Sequence, residues 1–223
     1  MSTAPEHLPA PAPAPAPASA EVPRSQGDPA FTPSQVVAFP AIAPPAPTVE
    51  LRGPVATVRS PREEDVAPLV QILAQPEVAH WWVGYSEQEV RADFYGADLA
   101  GRVIEVGGRC AGGMLVLRGQ NPEYPTTVIH LFLGLEFRGN RVGEEALALA
   151  IRDEFAAGIT RVTLDPNAKN EGAIRSYERL GFVRVGVLRD YQRRPDGSLD
   201  DAVFLDLTRR DFPQGPPLPL REG

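Results

Sequence analysis

Along this chain, short runs in which apolar and polar residues alternate are interleaved with runs in which apolar residues recur at helical spacing. VATVRS, over residues 55–60, alternates and is β-branched, which predicts a strand. SPREEDVAPLVQILAQ follows with Ser60 as a cap, Pro61 at a first helical position, early acids and helical apolar spacing, and predicts a helix over about residues 61–73. PEVAHWWVGY breaks the pattern and carries two tryptophans, and SEQEVRADFYGADL predicts a second helix capped by Ser86. RVIEVGGRCAGGMLVLRG reads as two strands joined by Gly107-Gly108, a good hairpin turn. TTVIHLFLG is a further strand, a helix follows over about 142–156, and ITRVTLD is another strand. NEGAIRSYERLG is a short helix stopped by Gly181, and FVRVGVLR and LDDAVFLDLT are closing strands.

The predicted order is therefore strand, two helices, three strands, helix, strand, helix, two strands. That order is an α+β domain with a mixed, mostly antiparallel sheet flanked by helices. The helix after the 126–134 strand is a crossover, so the 160–165 strand is expected parallel to it.

Composition sets the limits of that domain. The 223 residues are 43% hydrophobic, enough for one well-buried domain. The 25 prolines are uneven, and in the Ala-Pro repeat of APEHLPAPAPAPAPASAEVP proline removes amide donors and holds the chain extended, so the segment cannot nucleate a core. Residues 1–48 are read as a disordered, semi-rigid arm used as a spacer, residues 49–213 as the folded domain, and 214–223 as a flexible tail. The arm lacks the basic start and apolar block of a secretion signal, and no later window is long or apolar enough to cross a membrane. A single cysteine, Cys110, suits a reducing compartment, so a cytoplasmic location is expected. His7, His80 and His130 are scattered and predict no metal site. The net charge of -7 argues against nucleic acid and suits a cationic partner.

The chemistry is concentrated in HLFLGLEFRGNRVGEEALALAIRDEF, residues 130–155, where a strand ends, a glycine-bearing loop follows and a helix opens. A helix N-terminus presents free N–H groups to an anion, and Gly139 and Gly143 let backbone turn and approach closely. Arg141 occupies the centre of this loop.

RVTLDPNAKNEGAIRSYERLGFVRVGVLRDY, residues 161–191, carries a strand ending in Asp165-Pro166, then Asn170, Ala173, Tyr177 and Gly181-Phe182. This pattern, with the element order, resembles the GNAT N-acetyltransferases over roughly residues 49–212. The resemblance implies acetyl-CoA as acyl donor and a wedge splayed open between two parallel strands. It implies that the amides of Arg138, Gly139, Asn140, Arg141, Val142, Gly143 and Glu144 hold the pyrophosphate. The pantetheine arm would pair with Leu131, Phe132 and Leu133, with Asn170 and Ala173 beside it. The family's loop reads Arg/Gln-x-x-Gly-x-Gly/Ala, so Arg141 stands where its first signature glycine belongs. That departure keeps a catalytically silent acyl-CoA-binding sensor module open as an alternative.

By the same resemblance Tyr177 is the general acid for the leaving thiolate. Many relatives place a carboxylate on the strand before the loop; here that position holds His130, a candidate base or a core residue. Asp165 is a candidate for binding or deprotonating a cationic amine, or for capping its own turn. The Trp81-Trp82 pair resembles aminoglycoside 6'-N-acetyltransferases and siderophore-building acyltransferases, with one ring expected to pack and the other to face the acceptor. Asp165 first, and Asp190 second, would meet the cation. GVLRDYQRRPDGSLDDAVFLDLTRRDF is similar to the closing region of ribosomal-protein and peptide N-terminal acetyltransferases, which keeps a protein α-amine open as acceptor. The leading expectation is a small cationic amine, an aminoglycoside first. Exposed strands of this fold pair between subunits in many relatives, so a homodimer is a further option.

Overall fold

The computed structural model describes residues 48–96, 100–119 and 121–212. The chain divides into two units, Met1–Ala38 and Phe39–Gly223, and all described residues belong to the second. The arm expected over residues 1–48 lies outside the described residues save for Thr48, as does the whole of the 214–223 tail. Among the described residues no helix is long and apolar enough to cross a membrane.

The elements are β1 (Glu50–Arg52), β2 (Ala56–Arg59), α1 (Val66–Leu73), α2 (Pro76–Ala79), α3 (Glu87–Tyr95), β3 (Ala100–Val106), β4 (Arg109–Arg118), β5 (Thr126–Leu133), α4 (Val142–Ala156), β6 (Arg161–Leu164), α5 (Glu171–Arg179), β7 (Val183–Arg193) and β8 (Leu199–Thr208). The sheet order is β1-β2-β3-β4-β5-β6-β8-β7, and every pairing is antiparallel except β5 with β6. The expected α+β class and the parallel crossover are both present.

Alternation along the strands divides the core into two layers, because successive side chains leave a strand on opposite faces. Val103, Leu115 and Phe132 face α1 and α3, where they meet Leu69, Leu73, Val90 and Phe94. Their neighbours Ile104, Met114, Val116 and Ile129 face α4 and α5 and meet Leu147, Ile151, Phe155 and Ile174.

Three local expectations need correction. The helix expected from residue 61 opens instead with a 3-10 turn, Glu63–Asp65, before α1, and Asp65 accepts from the Arg62 amide at 2.7 Å. Ser60 does not cap it; its hydroxyl accepts from the Val49 amide at 2.8 Å and closes the β1–β2 hairpin. The break carrying the tryptophans contains the one-turn helix α2, opened by Pro76. Ser86 does cap α3, in a capping box with Glu89.

Candidate active site

The β5–β6 register opens the cleft. Pairing runs from Thr126↔Arg161 to Val128↔Thr163, whereas on its other edge β5 stays paired with β4 up to Gly112↔Leu133. From Ile129 onward the β6-side edge of β5 therefore has no strand partner among the described residues; the Leu133 carbonyl accepts from Arg138 Nε at 3.1 Å, and the other backbone groups of that edge are available to a ligand.

A cavity of about 520 Å³ lies along this edge and reaches the start of α4. The first amide to close a hydrogen bond in α4 is that of Glu145, which donates to the Arg141 carbonyl at 2.9 Å. The amides of Val142, Gly143 and Glu144 are thus the free donors of a helix N-terminus. Gly143 is closely approached: a Cβ there would sit 3.2 Å from Leu133 Cδ1, so that side chain would have to give by a few tenths of an ångström. Gly139 turns the loop with φ 85.

Arg141 caps this helix in the left-handed conformation, φ 58 and ψ 14. The sequence departs from the family's glycine where the backbone still adopts a glycine conformation. A residue with a Cβ is disfavoured there by about 1–2 kcal/mol. Arg141→Gly is therefore expected to raise stability by up to about 1 kcal/mol, the relief exceeding the entropy cost of glycine, as read by urea unfolding. A stability loss would mean that the Arg141 side chain contributes more than its backbone costs.

The charge of the cavity lining suits the phosphates of acetyl-CoA. Arg138, Arg141 and Arg179 line it, beside the free amides. Glu144 is the one acid in the lining, and it is held: its Oε1 accepts from Arg179 Nε at 2.9 Å, and its Oε2 lies 4.0 Å from Arg141 Nε. Of the expected cofactor residues, Leu131, Phe132, Leu133, Arg138, Gly139, Arg141, Val142, Gly143, Glu144, Asn170, Ala173 and Tyr177 all line the cavity. Asn140 does not and is exposed. Asn170 is also more committed than the sequence suggested, since its Oδ1 caps α5 by accepting from the Ala173 amide at 3.2 Å; its Nδ2 remains to donate.

A second cavity, of about 650 Å³, adjoins the first, and Trp81, Trp82, Leu131, Asn170 and Tyr177 line both. Tyr177 thus stands at the junction. Burial, then the Asp165 charge, push its hydroxyl well above the usual phenol range, and it makes no hydrogen bond to the described residues. Trp82 packs against Phe132 at 4.9 Å and Tyr85 at 5.3 Å, while Trp81 touches His80 at 4.4 Å. The tryptophan turn is clamped from the β7–β8 hairpin, where Arg194 Nη1 donates to the His80 carbonyl at 2.7 Å.

His130 and Asp165 meet in this second cavity, with His130 Nδ1 3.6 Å from Asp165 Oδ1. Tyr191 donates to Asp165 Oδ2 at 2.6 Å. On another wall Tyr85 donates to Asp93 Oδ2 at 2.6 Å. Tyr85 and Tyr191 are not among the expected site residues. Asp190 is, and the structure places it elsewhere: it is exposed, absent from the lining, and sits in a bulge of β7 with φ 52. Cys110 is not a nucleophile in waiting, since burial pushes its thiol up to about 11.

Comparison with known proteins agrees with this geometry. The family model for the acetyltransferase (GNAT) domain matches residues 56–183, more than half of the chain. The N-alpha-acetyltransferase MAK3 of Arabidopsis thaliana is 29% identical over 85 residues, 38% of this chain and 45% of that protein. The ribosomal protein bS18-alanine N-acetyltransferase of Haemophilus ducreyi is 27% identical over 81 residues, 36% of this chain and 56% of that protein. The matched stretch spans about half the length of these curated relatives. The aminoglycoside acetyltransferase AAC(6')-Ib, solved with coenzyme A and kanamycin, shares the fold with a TM-score of 0.58 and 22% identity, covering 70% of this chain and 96% of that one. By its matched domain, its splayed β5–β6 pair and the loop before α4, the chain belongs to the GNAT acetyltransferase family, whose members use acetyl-CoA as acetyl donor.

Proposed function

We propose that this chain is an acetyl-CoA-dependent N-acetyltransferase acting on a small cationic amine, with an aminoglycoside as the first candidate acceptor. The observation that carries the reading is the pair of adjoining cavities that share Tyr177. One offers arginines and free helix amides to phosphates, and the other offers aromatic rings and the carboxylates of Asp93 and Asp165 to a cation. When bound, acetyl-CoA supplies an acetyl group on a thioester, whose carbon–sulfur bond breaks as the bond to the amine nitrogen forms.

The residues of this chain then have distinct tasks. Asp165, with Trp81 and Tyr191 beside it, draws a cationic amine towards the junction. His130 takes the ammonium proton, directly or through one water, because an amine without its lone pair cannot attack. Tyr177 hydrogen-bonds the sulfur as negative charge develops and returns a proton to it. The second proton of the attacking nitrogen leaves through the same hydroxyl or through solvent.

A protein N-terminal amine is the second reading, favoured by the names of the two curated relatives. Thiol release from acetyl-CoA in the presence of kanamycin-like amines and of peptides with free α-amines separates the two. Kanamycin-like amines are expected to give a kcat/KM at least about ten-fold above the peptides, the discrimination that one buried charge pair supplies. Turnover confined to peptides overturns the small-amine reading. Coenzyme A binding without acetylation of any amine would favour a silent sensor module.

A further inference from the structure

Along β7 the ladder to β8 is broken between Leu188↔Ala202 and Gln192↔Asp200, so Arg189, Asp190 and Tyr191 oppose Asp201 alone. Asp190 absorbs the extra backbone with φ 52, a conformation disfavoured for any residue with a Cβ. Its amide donates to Asp201 Oδ1 at 2.9 Å, which anchors the bulge. Bulges beside active sites re-aim a side chain that regular alternation would send elsewhere. Here the bulge carries Tyr191, whose hydroxyl donates to Asp165 Oδ2 at 2.6 Å across 26 residues of chain.

A carboxylate has two oxygens, and fixing one orients the other. With Oδ2 held by Tyr191, Oδ1 faces His130 Nδ1 at 3.6 Å. This is just beyond hydrogen-bond length, as is common before a site is filled. An ionised Asp165 favours a proton on Nδ1, which leaves the lone pair on Nε2. The other charged or titratable groups of this cavity do not compete for the imidazole. Asp93 lies on another wall, where Tyr85 donates to its Oδ2, Arg193 Nη1 donates to the Gly197 carbonyl at 3.4 Å, and Tyr177 is a neutral phenol.

We propose that Tyr191, aimed by the Asp190 bulge, is a positioning residue that holds Asp165 and so fixes the His130 tautomer with Nε2 as the basic nitrogen. The proposal rests on His130 being the base. Tyr191→Phe in the full chain is expected to lower kcat/KM for the acceptor about ten-fold, with the Kd for acetyl-CoA unchanged. Imidazole nitrogen shifts of the selectively labelled protein should report the Nδ1–H tautomer in the parent and a mixture in Tyr191→Phe.

Asp190→Val, which resists φ 52, should reproduce both changes although its side chain touches nothing in the site. Asp190→Gly, which adopts that φ freely, should leave both at the parent values. Tyr191→Phe with an unmixed tautomer overturns the positioning role. The reading beneath it fails separately: if His130→Ala keeps the parent acidic limb, His130 is not the base, whatever Tyr191 does.

Discussion

Tyr177→Phe is expected to lower kcat by about 10²-fold while leaving acetyl-CoA affinity within about two-fold, the size of effect that loss of one positioned acid produces. The hydroxyl belongs to the residue where the two cavities meet and makes no hydrogen bond among the described residues. The ring it leaves behind keeps its packing on Phe182, 6.1 Å between centroids, so the helix has no reason to move. Burial and the nearby Asp165 charge both raise its pKa, so the hydroxyl stays protonated at every pH below its shifted value. It follows that Tyr177 contributes no falling limb to the pH–rate profile below about pH 10, the ordinary phenol value. A Tyr177→Phe protein of unchanged turnover would remove the acid role. One that lost acetyl-CoA binding, measured by calorimetry, would recast Tyr177 as part of the donor site.

The parts of this site legible in the sequence are those set by local pattern. Alternation in TTVIHLFLG and ITRVTLD, separated by one helical run, is enough to predict parallel strands, and β5 and β6 pair in that way. Glycines at 139 and 143 marked the anion loop, and the Asn170-to-Phe182 spacing marked the junction helix. What the sequence concealed depends on register and on distant partners. β1 is only three residues, too short to show a period, and exists because it pairs with β2. Tyr191 enters the site only because β7 bulges against β8, and nothing in DYQRR announces a broken ladder. Asp190 looked like a substrate contact because it is an acid near the cleft in sequence; the bulge turns its backbone, not its carboxylate, to use. Arg141 is visible as a departure from glycine, yet only its φ of 58 shows that the backbone at this position takes a conformation that glycine favours.

Glu154→Ala is expected to destabilise the fold by about 3–5 kcal/mol, a large share of the 5–15 kcal/mol that holds a typical domain together. Glu154 lies on α4 and is 1% exposed. Arg118 on β4 grips both its oxygens, Nε to Oε2 at 2.7 Å and Nη2 to Oε1 at 2.8 Å, and Thr127 on β5 adds a third bond at 2.8 Å. Arg102 on β3 is also buried; burial depresses its pKa, opposed by Asp153 and Glu154. Without the Glu154 carboxylate, two guanidinium groups remain beneath the helix with Asp153 as the nearby acid. Cutting out one partner of a buried pair costs far more than the pair contributes, because the remaining charge keeps its desolvation penalty. Replacing both Glu154 and Arg118 by leucine should therefore recover much of the loss, a non-additivity that a double-mutant cycle in urea measures. A Glu154→Ala loss below about 1 kcal/mol would mean that water reaches the cluster and that α4 is held by its apolar face alone. The consequence reaches the active site: Thr127 pairs with Val162, one step before the β5–β6 ladder ends, so the cluster fastens α4 to the sheet just below the cleft. Variants that loosen it should weaken acetyl-CoA binding before they unfold the chain, since the free amides of α4 hold their aim only while the helix stays seated on β5.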